Sequence, residues 1–126
     1  MLSRPRKRAQ VARVSLGLIR TGNGAAALLA PERFARRLGV DPVDDAAAML
    51  WISRLFGVRT VVIGLDLILP GPAREPAIRV APVIHASDTA AAAIAGVRGE
   101  LPGRTATLLT AISGLNTVLA FVAKAR

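Results

Sequence analysis

The sequence contains no cysteine, no tyrosine and only one histidine. Without cysteine the chain can form no disulfide framework and has no thiol nucleophile. A single histidine cannot build the usual structural zinc site, nor a haem or di-iron centre with several histidine ligands. The stretch Gly22-Asn23-Gly24 lacks the following glycine of a phosphate-binding loop, and no Gly-x-Ser-x-Gly elbow occurs. We therefore expect no metal and no cofactor, and the sequence identifies no catalytic residue.

Aromatic residues are also scarce, at 3% of the 126 residues, although 52% are hydrophobic and the formal net charge is +9. The mean hydropathy of +0.47 excludes intrinsic disorder, which requires low hydrophobicity. An apolar chain with a strong basic bias is typical either of a small membrane protein or of an alanine-rich soluble helical bundle. The near absence of aromatic belts, with Trp51 alone near a predicted helix start, counts modestly against the membrane interpretation.

Four apolar segments decide between these two classes. Residues 105–123 carry no charge over 19 positions, which as a helix would span close to 30 Å, the thickness of the hydrocarbon core. The other three segments, residues 11–30, 46–69 and 77–97, each contain charged residues. We predict an all-α fold: a single membrane-embedded domain over residues 1–126, built as a four-transmembrane-helix bundle with helices at about 9–30, 43–69, 77–97 and 105–123.

The clearest predicted helix start is that of the second segment. Asp41 before Pro42 predicts an N-cap followed by proline at the first helical position. Asp44 and Asp45 would then lie in the first turn, where acidic side chains interact favourably with the helix dipole. Pro70 and the residues after it predict the end of that helix.

The charges inside the segments fall at helical spacings. Arg13 and Arg20 are seven residues apart, as are Arg59 and Asp66, and His85 and Asp88 are three apart. Glycines repeat the same seven-residue spacing beside them, which predicts close helix packing. Because a charge at the centre of a span costs about 2.5–3.5 kcal/mol on insertion scales, we expect these charges to face a shared interior. The candidates for interior ion pairs or ligand binding are Arg20, Arg54, Arg59, Asp66, His85 and Asp88.

Two elements outside the spans carry further basic residues. Residues 31–40 predict a short amphipathic connector helix, opened by Pro31 and closed by Gly39, which would lie on a headgroup surface or remain a solvated loop helix. The basic N-terminus is interpreted as a cytoplasmic anchor, with a signal peptide or a nucleic-acid-binding tail as alternatives. Seven lysines and arginines outside the segments fall on the side of the N-terminus and five on the other side. We predict a multi-pass cell-membrane protein with both termini cytoplasmic.

The run from Arg54 to Gly64, with the pattern Arg-x-x-Gly-x-Arg, is followed by His85-Ala86-Ser87-Asp88. This combination resembles small bacterial, mainly actinobacterial, integral membrane proteins of unknown function. The resemblance covers most of the chain from about Gly17 onward, including the connector and the start of the last helix at Arg104. It implies a four-helix membrane bundle in which the arginine stretch of the second helix faces the His/Asp segment of the third. A looser similarity is to DoxX-like four-helix membrane proteins.

These observations leave three functional hypotheses. The first is an accessory or binding protein of the membrane, in which Arg54 and Arg59 hold an anionic group or pair with Asp66 and Asp88. The second is a proton-coupled transporter or membrane enzyme component that uses His85 and Asp88. The third is a soluble bundle with a nucleic-acid-binding tail, which the lack of interleaved aromatics disfavours. The expected partners are the lipid bilayer and a second copy or a membrane complex, without nucleic acid.

Overall fold

A computed structural model describes residues 3–40 and 46–125, and over these residues the chain is entirely helical. The five helices are α1 (Arg4–Leu29), α2 (Pro31–Arg37), α3 (Ala46–Ile68), α4 (Arg74–Val97) and α5 (Gly103–Lys124). No strand occurs in the described ranges, which confirms the all-α class.

Two helices begin earlier than the apolar segments predict. Helix α1 begins at Arg4 rather than near residue 9, because Pro5 in its first turn is preorganised for a helix and the basic residues after it continue the same conformation. Helix α4 begins at Arg74 rather than near residue 77, with Glu75 in its first turn, where an acidic side chain favours the helix dipole. The predicted cap at Asp41 and the predicted start near residue 43 lie outside the described residues.

Helices α1 and α3 pack along a seam of glycines. A Cβ atom built on Gly24 would lie 2.7 Å from the backbone nitrogen of Val61 and 2.8 Å from the carbonyl oxygen of Gly57. A Cβ atom on Gly64 would lie 2.7 Å from the carbonyl oxygen of Gly17. The two helices are therefore antiparallel, with Gly17 level with Gly64 and Gly24 level with Gly57. Only glycine permits this backbone approach, as the seven-residue spacing predicts.

The four long helices form two pairs, α1 with α3 and α4 with α5, which are joined chiefly by contacts between α1 and α5. Helices α3 and α4 touch far less, although only a short connector at residues 69–73 separates them. The hydroxyl groups of Thr89 and Thr117 share a hydrogen bond of 3.1 Å, which links α4 to α5 near the middle of both helices.

One end of the bundle is tightly packed. Its core consists of Leu16, Leu67, Ile78, Ala81 and Ala120, contributed by all four long helices at the end that holds both termini. The connector at this end is anchored by Arg74, whose guanidinium donates hydrogen bonds of 2.7 Å to the carbonyl oxygen of Ile68 and 3.1 Å to that of Leu69. Arg74 thereby satisfies carbonyls that the end of α3 leaves without helical partners.

The opposite end is covered by the predicted connector helix. Helix α2 begins at Pro31 and is followed by Gly39, whose φ of +84° lies in the left-handed region that favours glycine. A Cβ atom on Gly39 would lie 2.8 Å from Oγ1 of Thr105, so this turn packs against the start of α5.

Three of the helices are long and apolar enough to cross a membrane: Ala47–Ile68, Arg74–Val97 and Gly103–Lys124. Only 17% to 22% of the residues in their apolar windows are buried inside the protein, so most of this apolar surface faces outward. Helix α1 is not among the three, because Arg13, Arg20 and the polar stretch around Asn23 reduce its hydropathy.

Candidate ligand-binding cavity

The bundle opens into a cavity of about 770 Å³ at the end covered by α2. This volume lies within the range of about 300–1,000 Å³ typical of sites for small organic ligands. All five helices and the α4–α5 connector contribute to its lining. Most of the lining is apolar, and the larger apolar side chains, called here the apolar wall, are Phe34, Leu38, Phe56, Leu101, Leu108, Leu109 and Ile112.

A group of polar side chains lies at mid-height between the packed end and the cavity. This polar layer consists of Arg20, Thr60, His85, Asp88 and Asn116. The glycine seam brings Arg20 of α1 level with Thr60 of α3, and all members except His85 line the cavity. His85 lies one turn away from Asp88 toward the packed end and is fully buried. The polar layer therefore forms the floor of the cavity.

Arg20 and Asp88 are the charged pair of the floor. Nη1 of Arg20 lies 3.6 Å from Oδ2 of Asp88, which links α1 to α4. The Arg20 side chain is 8% exposed, whereas that of Asp88 is 44% exposed. The distance is too long for a hydrogen bond, so the arginine is neutralised only loosely by this carboxylate.

Several buried polar atoms of the floor have no hydrogen-bond partner within the protein. They include Nε of Arg20 and Oδ1 of Asn116, which is 2% exposed, as well as both ring nitrogens of His85. Leaving a buried polar group unsatisfied costs about 1–3 kcal/mol, and more for a charged group. Two of these residues, Arg20 and Asn116, border the cavity, although Nε of Arg20 and Oδ1 of Asn116 are themselves covered by protein.

Two further arginines, both on α2, line the cavity. Arg33 and Arg37 are one turn apart on α2, and both side chains are exposed. With Arg20 they make three cations against the single carboxylate of Asp88, so the charged lining has a net charge of +2. The cavity thus attracts anions on electrostatic grounds.

The structure places the other predicted site residues differently. Arg54 and Arg59 are exposed on the outer surface of α3 and do not meet His85 or Asp88, and Asp66 is only partly buried. The reason is that α3 turns Gly57, Thr60 and Gly64 toward its neighbours, and Arg59, two residues from Gly57, points about 200° away. Arg54 lies one turn beyond the contact of Gly24 with Gly57, level with Ala27 of α1, and its side chain is exposed.

Arg13 does lie at the helix interface. Its guanidinium donates a hydrogen bond to the carbonyl oxygen of Leu67 on α3. Arg13 and Arg20, which are seven residues apart on α1, therefore both face the bundle, as their spacing predicts.

Sequence reasoning missed three parts of the site: Asn116, Thr60 and the arginines of α2 as cavity residues. Asn116 is the only asparagine in the uncharged last segment, which was a usable signal, since an amide in an apolar span seeks a partner in the interior. Nothing in the sequence shows that α2 folds back over the bundle.

Within residues 3–40 and 46–125, no group of three or more His, Asp or Glu side chains could hold a metal ion. Comparison with known proteins finds no family model, no curated protein and no solved structure that matches the chain. The resemblance to small actinobacterial membrane proteins therefore stays a prediction.

Proposed function

We propose that this chain is a small integral membrane protein that binds an anionic ligand in its cavity, with Arg20 as the principal anchor. The proposal keeps the binding role predicted from the sequence but transfers it from Arg54 and Arg59 to the arginines that line the cavity.

The outward apolar surface supports the membrane location. Large exposed hydrophobic side chains occur along α3, α4 and α5, among them Val62, Val83 and Val118. A soluble monomer rarely exposes an apolar surface this extensive. In a bilayer the same surface is satisfied by lipid, and backbone polar groups are satisfied within each helix.

The contacts of α1 support a fourth span. Its two arginines beyond the N-terminal cluster, Arg13 and Arg20, have polar partners inside the bundle, on Leu67 and Asp88. Charges paired in this way face protein rather than lipid, so α1 can cross the membrane between α3 and α5. A four-span bundle places both termini on one side, which the basic N-terminus identifies as the cytoplasmic side.

One observation carries the binding role: Arg20 is 93% buried at the floor of an open cavity, with Nε unpartnered and only a loose contact to Asp88. A cation desolvated to this extent is stabilised strongly by an anion that accepts its hydrogen bonds. The +2 charge of the lining favours an anion over a neutral or cationic ligand.

The test compares Arg20→Met with Arg59→Met in protein held in lipid nanodiscs, with octanoate as the probe and calorimetry as the readout. Arg59 is the matched control because it lies in a span but outside the cavity. We expect Arg20→Met to weaken binding by at least about tenfold, the worth of one charged hydrogen bond, and Arg59→Met to change nothing. Equal affinity in both variants, or no binding by the wild-type protein above that of empty nanodiscs, would refute the proposal.

A second candidate function is proton-coupled transport, which the burial of His85 favours. Its ring nitrogens are both unpartnered and it lies one turn from Asp88, so a proton could pass between the polar layer and the cavity. Proton uptake into proteoliposomes measures this directly. A rate that His85→Ala leaves unchanged would eliminate the candidate.

A further inference from the structure

The wall above the polar layer restricts which anion suits the cavity. Building on the proposed binding role, we infer that the ligand is an amphipathic carboxylate, with its acid group on the polar layer and a single apolar chain along the apolar wall. An inorganic anion would leave that wall without contacts.

The floor offers the hydrogen bonds that a carboxylate needs. A carboxylate has about four lone-pair sites and accepts two bonds from a guanidinium in a fork arrangement. Arg20 supplies such a fork, and Asn23, Thr60, Ser113 and Asn116 line the cavity beside it with amide and hydroxyl groups. These donors are grouped at the floor, so the acid group of the ligand lies there, while Arg33 and Arg37 add positive charge on the side of α2.

The space above the floor has the length of a medium chain. Arg20 of α1 and Ala30, which directly follows the last residue of α1, both line the cavity; the nine residues from Arg20 to Leu29 give a helical rise of about 13–14 Å. Phe34 of α2 and Leu38, which directly follows α2, line the far end of this space. A cavity of about 770 Å³ with one buried arginine at its floor suits a single chain with one acid group better than a two-chain lipid.

Asp88 acts as a displaceable counter-ion in this arrangement. It is the more exposed member of the charged pair, and at 3.6 Å it holds Arg20 without a hydrogen bond. An entering carboxylate takes over the Arg20 guanidinium, and Asp88 turns toward solvent in the cavity. Arg33 and Arg37, which line the cavity on the side of α2, attract the anion and offset the charge of the remaining carboxylate.

The experiment titrates nanodisc-held protein with acetate, butanoate, hexanoate and octanoate, and with octanol and inorganic phosphate, against empty nanodiscs. We expect affinity to rise about fourfold per methylene along the acid series. Octanol, which has the chain but no charge, should bind at least about tenfold more weakly than octanoate.

Substitutions in the wall add a second readout. Leu109→Asn, in the apolar wall, should weaken octanoate binding while leaving acetate unaffected. Leu115→Asn, on the exposed surface of the same helix, is the control and should weaken neither.

The outcomes separate this inference from the proposed function. If acetate or phosphate binds as tightly as octanoate and Arg20→Met abolishes that binding, the anion site stands and the amphipathic ligand is refuted. If octanol binds as tightly as octanoate, or if no acid binds, the proposed anion site itself is refuted.

Discussion

Arg20 on α1 and Asp88 on α4 are joined by a contact of 3.6 Å in which the cation is buried and the carboxylate is partly exposed. The pair connects two helices that otherwise share few contacts. It lies at the boundary between the packed end of the bundle and the cavity, and both side chains border the cavity. The same two residues therefore contribute to helix register and to the proposed binding of an anion.

The contribution of this pair to the free energy of unfolding is measurable. Asp88→Ala leaves the buried Arg20 without a counter-ion, and we expect a loss of about 1–3 kcal/mol in the free energy of unfolding. Arg20→Met in the Asp88→Ala background should cost little more, because the uncompensated cation is removed. Unfolding of the two single variants and the double variant in mixed micelles gives the coupling energy, and simple additivity would show that the residues do not interact.

The glycine seam makes a second prediction. Gly24→Ala places a Cβ atom 2.7 Å from the backbone nitrogen of Val61, which cannot move without separating α1 from α3. We expect a destabilisation of about 1–3 kcal/mol.

Gly114→Ala is the matched control, since a Cβ atom there meets nothing within 4 Å. It should stabilise α5 by up to about 1 kcal/mol through helix propensity alone. Equal effects of the two substitutions, measured by thermal unfolding, would contradict the close packing of α1 on α3.

The membrane topology is tested by labelling single cysteines, because the native chain has none. With four spans, Ser3→Cys and Ala125→Cys lie on the same side and Glu100→Cys on the other. A membrane-impermeant maleimide applied to intact cells should therefore label only position 100. If α1 does not cross the membrane, positions 3 and 125 lie on opposite sides and one of them is labelled. Recovery of the chain in the soluble fraction without detergent would refute the membrane location altogether.

Arg74 provides a prediction about the packed end. Arg74→Met removes two hydrogen bonds to the end of α3 and should lower the free energy of unfolding by about 1–2 kcal/mol. Arg79→Met, five residues along the same helix with an exposed side chain, should leave stability unchanged. Thermal unfolding that does not distinguish the two variants would show that the capping contact contributes nothing.

Much of the fold follows from local sequence signals. Proline and glycine mark the ends of α2, and the seven-residue spacing of Gly17, Gly24, Gly57 and Gly64 predicts close helix packing. Helix starts were less predictable, because the basic residues from Arg4 onward continue α1 without any apolar pattern.

The site was only partly predictable for a geometric reason. Spacing shows that Arg59 and Asp66 share a side of α3, but not which side faces the bundle. Gly57 and Gly64, which lie two residues before Arg59 and Asp66, occupy the side of α3 that faces the bundle. Arg59 therefore points outward. The pairing of Arg20 with Asp88 depends on how two helices distant in sequence approach each other, which periodicity alone does not determine.

The central claim, that an anion takes the place of Asp88 on Arg20, is tested most directly by the octanoate affinities of Asp88→Asn and Arg20→Met in nanodiscs. Asp88→Asn keeps the shape of the side chain and removes the competing charge, so it should raise the affinity by roughly tenfold, corresponding to about 1.4 kcal/mol of repulsion removed. Arg20→Met should lower the affinity. Opposite shifts support the account, whereas a similar loss in both variants, or no change in either, would contradict it.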